Sequence, residues 1–120
     1  MRPNLLFINL DQQRFDCLGH AGNAIVKTPH IDRLAASGMR FNAAYTPIPL
    51  CCPARQTLLC GQMPDRHGGL WNYDICSPIP GLSPDVVTWP KRLTAEGYNC
   101  AYLGKWHVHP DCDGTYYGYQ

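Results

Sequence analysis

One segment, from Cys51 to Gly61, constrains this chain more than any other. It reads CCPARQTLLCG, so a cysteine stands two residues before a proline and four before an arginine. Pro53 suits the first turn of a helix, where its missing N–H is not needed. A helix start attracts anions through free N–H groups and the helix dipole, and Arg55 would add a fixed charge that matches a tetrahedral oxyanion. The segment therefore predicts that Cys51 is a nucleophile at the start of a helix.

An apolar run at residues 5–10 ends at two polar residues, Asp11 and Gln12. A continuous apolar run is typical of a strand buried on both faces, as in a parallel sheet. Open α/β sheets place their ligands at the carboxyl ends of such strands, and hard divalent cations take oxygen ligands. Taken alone, the pair is better explained as a strand end and a turn cap. Beside the cysteine segment, we interpret Asp11 and Gln12 as metal ligands.

Capping residues, glycines and apolar runs predict the remaining elements. Residues 62–83 are rich in Gly, Pro, Asp and Asn, which is typical of an irregular excursion. The order of strands and helices predicts an α/β fold with a mostly parallel sheet flanked by helices. The predicted elements are a strand at 5–10, a helix between Thr28 and Gly38, a strand at 39–45, a helix from Pro53 to about Cys60, a helix from Thr88 through Glu96 and a strand at 99–103.

A second polar pair, Lys105 and His107, follows the last predicted strand. Residues two apart on an extended segment point to the same face, and histidine titrates near neutral pH. Without other evidence, an exposed turn around a packed Trp106 would explain this string better. A zinc site at His109, Asp111 and Cys112 is disfavoured because the spacing matches no zinc pattern.

A phosphate loop of the C-x5-R type, from Cys60 to Arg66, is the rival interpretation. Such a loop needs successive N–H groups that converge on phosphate. Pro64 lacks an N–H, and no predicted strand precedes Cys60. This alternative is therefore disfavoured.

Composition limits the partners and the compartment. The net charge of +1 gives no electrostatic case for nucleic acid or for an anionic membrane surface. Seven cysteines without a signal sequence favour reduced thiols, although a bridge at Cys76 or Cys112 stays open. Cys17 and Cys100 are predicted to be buried. We expect a cytoplasmic protein, or a periplasmic one if a leader was removed.

Four segments in this order resemble the sulfatase family: PNLLFINLDQQ from Pro3, TPHIDRLA from Thr28, the cysteine segment from Cys51, and Gly97 through GKWH ending at His107. The resemblance implies a partial alkaline-phosphatase-like fold, with residues 1–120 as the N-terminal part of a catalytic domain. It also implies that a maturation enzyme converts Cys51 to formylglycine. The hydrate of that aldehyde would attack a small-molecule sulfate ester.

The resemblance assigns roles to the six candidate residues. Asp11, Gln12 and residue 51 would hold a divalent metal, with Ca²⁺ preferred and Mg²⁺ or Mn²⁺ as alternatives. Arg55 would bind the anion, Lys105 would bridge the anion and the nucleophile, and His107 would accept a proton when sulfate leaves. The remaining metal and sulfate ligands of the family come from further downstream, so we expect little activity from these 120 residues alone.

Two details leave alternatives open. The Asp-Gln pair resembles choline sulfatases and phosphonate monoester hydrolases, so a phosphonate monoester or phosphodiester hydrolase is an alternative function. Cys60 stands where family members usually carry a small hydroxyl residue, which could affect recognition by the maturation enzyme. A third possibility is a non-catalytic fragment that forms homo-oligomers, since a short chain leaves sheet edges uncovered.

Overall fold

The computed structural model describes residues 2–120, in which it has four α-helices and three 3₁₀ turns. In the described part of the chain, no helix is long and apolar enough to cross a membrane. The helices are α1 (Pro29–Ser37), α2 (Cys51–Cys60), α3 (Pro64–His67) and α4 (Trp89–Ala95), and the 3₁₀ turns are Phe15–Cys17, Gly19–Ala21 and Gly114–Tyr117.

Three of the four helices form close to where the sequence predicts them. Helix α1 lies between Thr28 and Gly38. Helix α4 starts after Thr88, whose hydroxyl accepts the N–H of Lys91 at 3.4 Å, as expected of a capping threonine. Helix α2 begins at Cys51, two residues earlier than predicted, and α3 is a short helix within the segment predicted to be irregular.

The predicted strands at 5–10, 39–45 and 99–103 do not form, and residues 2–120 contain no strand. Leu6, for example, is 87% exposed in the first of these segments. An apolar run signals a need for burial, but a strand exists only when a neighbouring strand accepts and donates its backbone hydrogen bonds. The carbonyl of Cys100 accepts the N–H of Gln120 at 2.7 Å, but no strand is assigned to residues 2–120, so the expected parallel sheet is absent from them.

The chain divides into two units, Met1–Ala44 and Tyr45–Gln120. The first unit has no buried residue in its described part. Its hydrogen bonds fix the turn at 19–21 to the start of α1: the Thr28 hydroxyl accepts the N–H of Gly19 at 2.8 Å, and the Asp32 carboxylate accepts the N–H of His20 at 2.8 Å. Polar contacts of short range therefore order this unit.

The second unit has an apolar core. Tyr117 is fully buried, and its hydroxyl donates to the carbonyl of Leu82. Two threonines, one just before α4 and one within it, anchor the end of the chain, because Thr88 and Thr94 donate to the carbonyls of Tyr117 and Gly118 at 2.6 and 2.8 Å. The buried apolar cluster comprises Leu59, Leu82, Cys100, Val108, Tyr117 and Tyr119.

Candidate active site

The start of α2 presents Cys51 as its first residue, with a half-buried thiol. The N–H of the next residue, Cys52, donates to the side-chain oxygen of Asn72 at 3.0 Å. Pro53 has no N–H to offer. The first turn of α2 therefore offers fewer free N–H groups to an anion than a helix start usually does, and side chains would have to supply more of the binding.

The two adjacent cysteines, Cys51 and Cys52, differ in burial. Cys52 is fully buried, and its sulfur accepts a hydrogen bond from the Gln56 amide at 3.1 Å. Burial raises the pKa of the Cys52 thiol, which therefore stays protonated at neutral pH. Cys51 is thus the cysteine of this pair that a reagent could reach.

Arg55 connects α2 to the segment at 102–105. The side chain is 9% exposed, and its Nη1 donates to the Tyr102 hydroxyl at 3.0 Å and to the carbonyl of Lys105. The next residue, Gln56, donates from Nε2 to the carbonyl of Val108 at 3.0 Å. These bonds hold residues 105–108 alongside α2, with the Lys105 side chain exposed.

His107 lies in a polar niche beside the loop 72–74. Its Nε2 is 3.4 Å from Asp74 Oδ1, and its ring packs edge-on against Tyr73 with ring centroids 5.0 Å apart. The other ring nitrogen, Nδ1, is buried without a hydrogen-bond partner among the described residues. Asn72 accepts the N–H of Cys52, and Asp74 contacts His107. The loop 72–74 therefore contacts both His107 and the start of α2.

Two site candidates share an uncommon backbone conformation. Gln12 and His107, with φ of 57° and 52°, are the non-glycine residues of positive φ in the described range 2–120. This region costs side-chain-bearing residues of order 1–2 kcal/mol and often marks functional positions. Asp11 and Gln12 lie exposed in the first unit, while Cys51, Arg55, Lys105 and His107 lie in the second.

A metal site does not assemble from the described residues alone. Nowhere between residues 2 and 120 do three or more His, Cys, Asp or Glu side chains form a group that could hold a metal ion. The zinc alternative is equally unsupported, since Nδ1 of His109 accepts the backbone N–H groups of Asp111 and Cys112 at 3.0 and 3.1 Å. His109 therefore closes a turn of its own segment.

The phosphate-loop alternative also lacks support. Cys60 is the last residue of α2, so no strand precedes it, and burial raises the pKa of its thiol. A phosphatase nucleophile needs a lowered thiol pKa. All seven cysteines are free, as predicted. Cys100 is buried as expected, whereas Cys17 is only half-buried.

Sequence reasoning missed several residues that shape the site. It placed the loop 71–74 only within the irregular segment 62–83, and it gave no role to Gln56 or Tyr102. Gln56 is 1% exposed and links Cys52 to Val108. Its position directly after Arg55 carried no signal, because its partner lies 52 residues away in sequence.

Comparison with known proteins gives a consistent result. A sequence model of the family described as "Sulfatase" matches residues 3–120. The chain is 38% identical over 118 residues to the steryl-sulfatase of Rattus norvegicus, covering 94% of this chain and 20% of that protein. It is 39% identical over 114 residues to the arylsulfatase A of Bos taurus, covering 95% of this chain and 22% of that protein.

A bacterial relative and a solved structure agree with these matches. The ulvan-active sulfatase of Formosa agariphila is 41% identical over 107 residues, covering 89% of this chain and 20% of that protein. The crystal structure of the YidJ protein from Bacteroides fragilis superposes with a TM-score of 0.69 at 36% identity, covering 82% of this chain and 22% of that one. The chain thus spans about a fifth of the length of these relatives.

Proposed function

Because this chain belongs to the sulfatase family of hydrolases, we propose that it supplies the nucleophile region of a sulfuric ester hydrolase site. The observation that carries the proposal is the placement of Cys51 as the half-buried first residue of α2, next to a fully buried Cys52. A single accessible cysteine at a helix start suits both modification and attack on a tetrahedral anion. The parent fold is the alkaline-phosphatase-like fold of sulfatases.

The candidate residues of the second unit would have separate roles at the sulfate. Conversion of Cys51 to formylglycine, by an oxidising maturation enzyme that uses dioxygen, would supply a hydrate that attacks sulfur and later releases sulfate. The ammonium of Lys105 would neutralise charge on the sulfate oxygens. Arg55, through its bonds to Tyr102 and the carbonyl of Lys105, would keep that segment beside α2 and add positive charge. Nδ1 of His107 would accept a proton.

The first unit would contribute oxygen ligands to a divalent metal. We assign Asp11 and Gln12 to this role, together with residue 51, and prefer Ca²⁺ over Mg²⁺ or Mn²⁺ because the donors are oxygens. The remaining ligands, and strands that pair with residues 5–10, 39–45 and 99–103, would come from parts of the fold outside these 120 residues. A cytoplasmic location and homo-oligomer formation are further parts of this proposal.

A phosphonate monoester or phosphodiester hydrolase is the second candidate function. The Asp11-Gln12 pair favours it, through its resemblance to that branch. The same residues would bind the tetrahedral phosphorus centre, because its charge and shape are close to those of sulfate. Turnover of an aryl phosphonate monoester in preference to an aryl sulfate, by a protein that contains this segment and the rest of the fold, would favour this alternative.

The modification of Cys51 tests the central proposal directly. The chain would be co-expressed with a formylglycine-generating enzyme, then treated with an aldehyde-reactive hydrazide and mapped by peptide mass spectrometry. We expect an aldehyde at position 51 that persists in Cys52→Ala and is lost in Cys51→Ala. Failure to find it, while a known sulfatase is modified in the same cells, would contradict the proposal.

An activity assay tests the claim that the site is incomplete. The modified 120-residue protein should release little or no phenol from an aryl sulfate in the presence of Ca²⁺, because downstream ligands are missing. Ordinary turnover by this protein, abolished by Cys51→Ala, would show that the described residues suffice.

A further inference from the structure

We propose that Asp74 is a positioning residue that keeps the proton of His107 on Nε2 and leaves Nδ1 as the proton acceptor of the site. The tautomer follows from the geometry alone. The use of Nδ1 as a base rests on the proposed function.

The contact between Asp74 and His107 defines which nitrogen carries the proton. Nε2 lies 3.4 Å from the Asp74 carboxylate oxygen, and a carboxylate can only accept. A bare Nε2 lone pair would face another acceptor and be repelled, so a neutral ring must place its proton there. The Asp74 side chain is 57% exposed, and that of His107 only 14%.

The surroundings of Nδ1 lead to the same tautomer. This atom is buried and has no hydrogen-bond partner in the described structure. Nδ1 has no partner in either tautomer, so the pairing at Nε2 decides between them: the Nε2–H form satisfies one ring nitrogen, whereas the Nδ1–H form leaves both unsatisfied, at a further cost of order 1–3 kcal/mol. The Nε2–H tautomer leaves the lone pair on Nδ1, the atom to which the proposed function gives the role of proton acceptor.

An aromatic side chain also packs against the imidazole ring of His107. Tyr73 packs edge-on against it, with planes at 85° and centroids 5.0 Å apart. Burial raises the pKa of Tyr73, so its neutral phenol faces the imidazole at physiological pH. Asn72, next in the same loop, bonds to the N–H of Cys52, so the partner of Nε2 is fixed relative to α2.

Imidazole NMR on the ¹⁵N-labelled 120-residue chain tests the inference without any activity. Long-range ¹H–¹⁵N correlations distinguish Nε2–H from Nδ1–H, and His107→Gln identifies the signals. We expect Nε2–H to dominate in the unmodified protein. Asp74→Ala should lower the ratio of Nε2–H to Nδ1–H about tenfold. Asp74→Asn should retain most of the preference, since its amide oxygen still accepts.

An exposed carboxylate elsewhere in the second unit provides the control. Asp85→Ala should leave the tautomer of His107 unchanged. A proton on Nδ1 in the unmodified protein, or an unchanged ratio in Asp74→Ala, would overturn the inference, and the first of these measurements needs no variant to fold. The expected tautomer without an aldehyde at position 51 would contradict the proposed function only.

Discussion

Residues 2–44 contain no buried side chain, whereas residues 45–120 contain a cluster of six buried apolar residues that includes Tyr117 and Leu82. In the first unit, the side chains of Thr28 and Asp32 accept hydrogen bonds from the backbone of a nearby turn. The second unit is ordered by packing between segments far apart in sequence. Hydrogen bonds to a nearby turn can therefore support a helix such as α1 although none of its side chains is fully buried. Burial requires neighbouring segments that cover a side chain, and the side chains of the apolar run at 5–10 stay exposed.

The largest expected effect lies in the core of the second unit. Tyr117→Ala removes a fully buried ring and leaves the carbonyl of Leu82 without its donor. We expect a loss of about 3–5 kcal/mol in the free energy of unfolding, measured by urea titration. The neighbouring Tyr116, which is 56% exposed, gives the matched control, because Tyr116→Ala should change little. Equal effects of the two substitutions would contradict the assigned core.

The next largest loss of stability is expected at Gly118, where the backbone closely approaches α4. Gly118 has φ of 99°, and a Cβ there would lie 2.7 Å from Lys91 Cα at the start of α4. Gly118→Ala should therefore cost more than about 2 kcal/mol, from strain and steric overlap together. Gly104 has a φ of 110° and open space around it, so Gly104→Ala tests the backbone strain without steric overlap and should cost about 1 kcal/mol. Thermal denaturation of both variants would measure the difference.

A substitution in the first unit tests whether its order is local. Asp32→Ala removes acceptors from the N–H of His20 and from the Thr28 hydroxyl. We expect a local loss of about 1–2 kcal/mol, seen as faster amide hydrogen exchange at His20. Amides of the core around Tyr117 should keep their exchange rates. A simultaneous loss of protection in both units would show that their stabilities are coupled.

The smallest effect concerns pH. Nδ1 of His67 accepts the N–H of Gly69 at 3.1 Å, and its Nε2 lies 2.9 Å from the Thr57 hydroxyl. Burial lowers the pKa of His67, so the unfolded chain takes up the proton first. Stability is therefore fully present above the ordinary histidine pKa of about 6.5 and declines as pH falls below it. His67→Gln should flatten the decline between about pH 7 and 5, whereas the exposed His30→Gln should not.

Local sequence signals predicted the helices well and the sheet poorly. A threonine one or two residues before a proline predicts the starts of α1 and α4 within a few residues. The structure agrees with both starts, although of these two threonines Thr88 alone caps its helix through a side-chain hydrogen bond. Pairing of the run at 5–10 depends on segments elsewhere in the fold, which no local pattern reveals. The start of α2 was placed at Pro53 rather than Cys51 because Leu50 gives no side-chain capping signal.

The candidate site shows the same limit. The cysteine segment located Cys51 and Arg55, and the spacing of Lys105 and His107 suggested a shared role. The supporting residues could not be found in this way, because Gln56 acts through Val108 and Asn72 through Cys52, in each case across 20 or more positions. Asp74 stands in a loop whose composition predicted only irregular structure.

The left-handed backbone at Gln12 matters for anyone who engineers this chain. Gln12 is exposed, and glycine would adopt its φ of 57° without steric cost. An unguided search for thermostable variants would therefore favour Gln12→Gly and discard the amide proposed to bind a cation. At His107 the ring's contacts with Tyr73 oppose the same exchange. Of the two strained positions, the exposed one is therefore the more easily lost under selection for heat resistance.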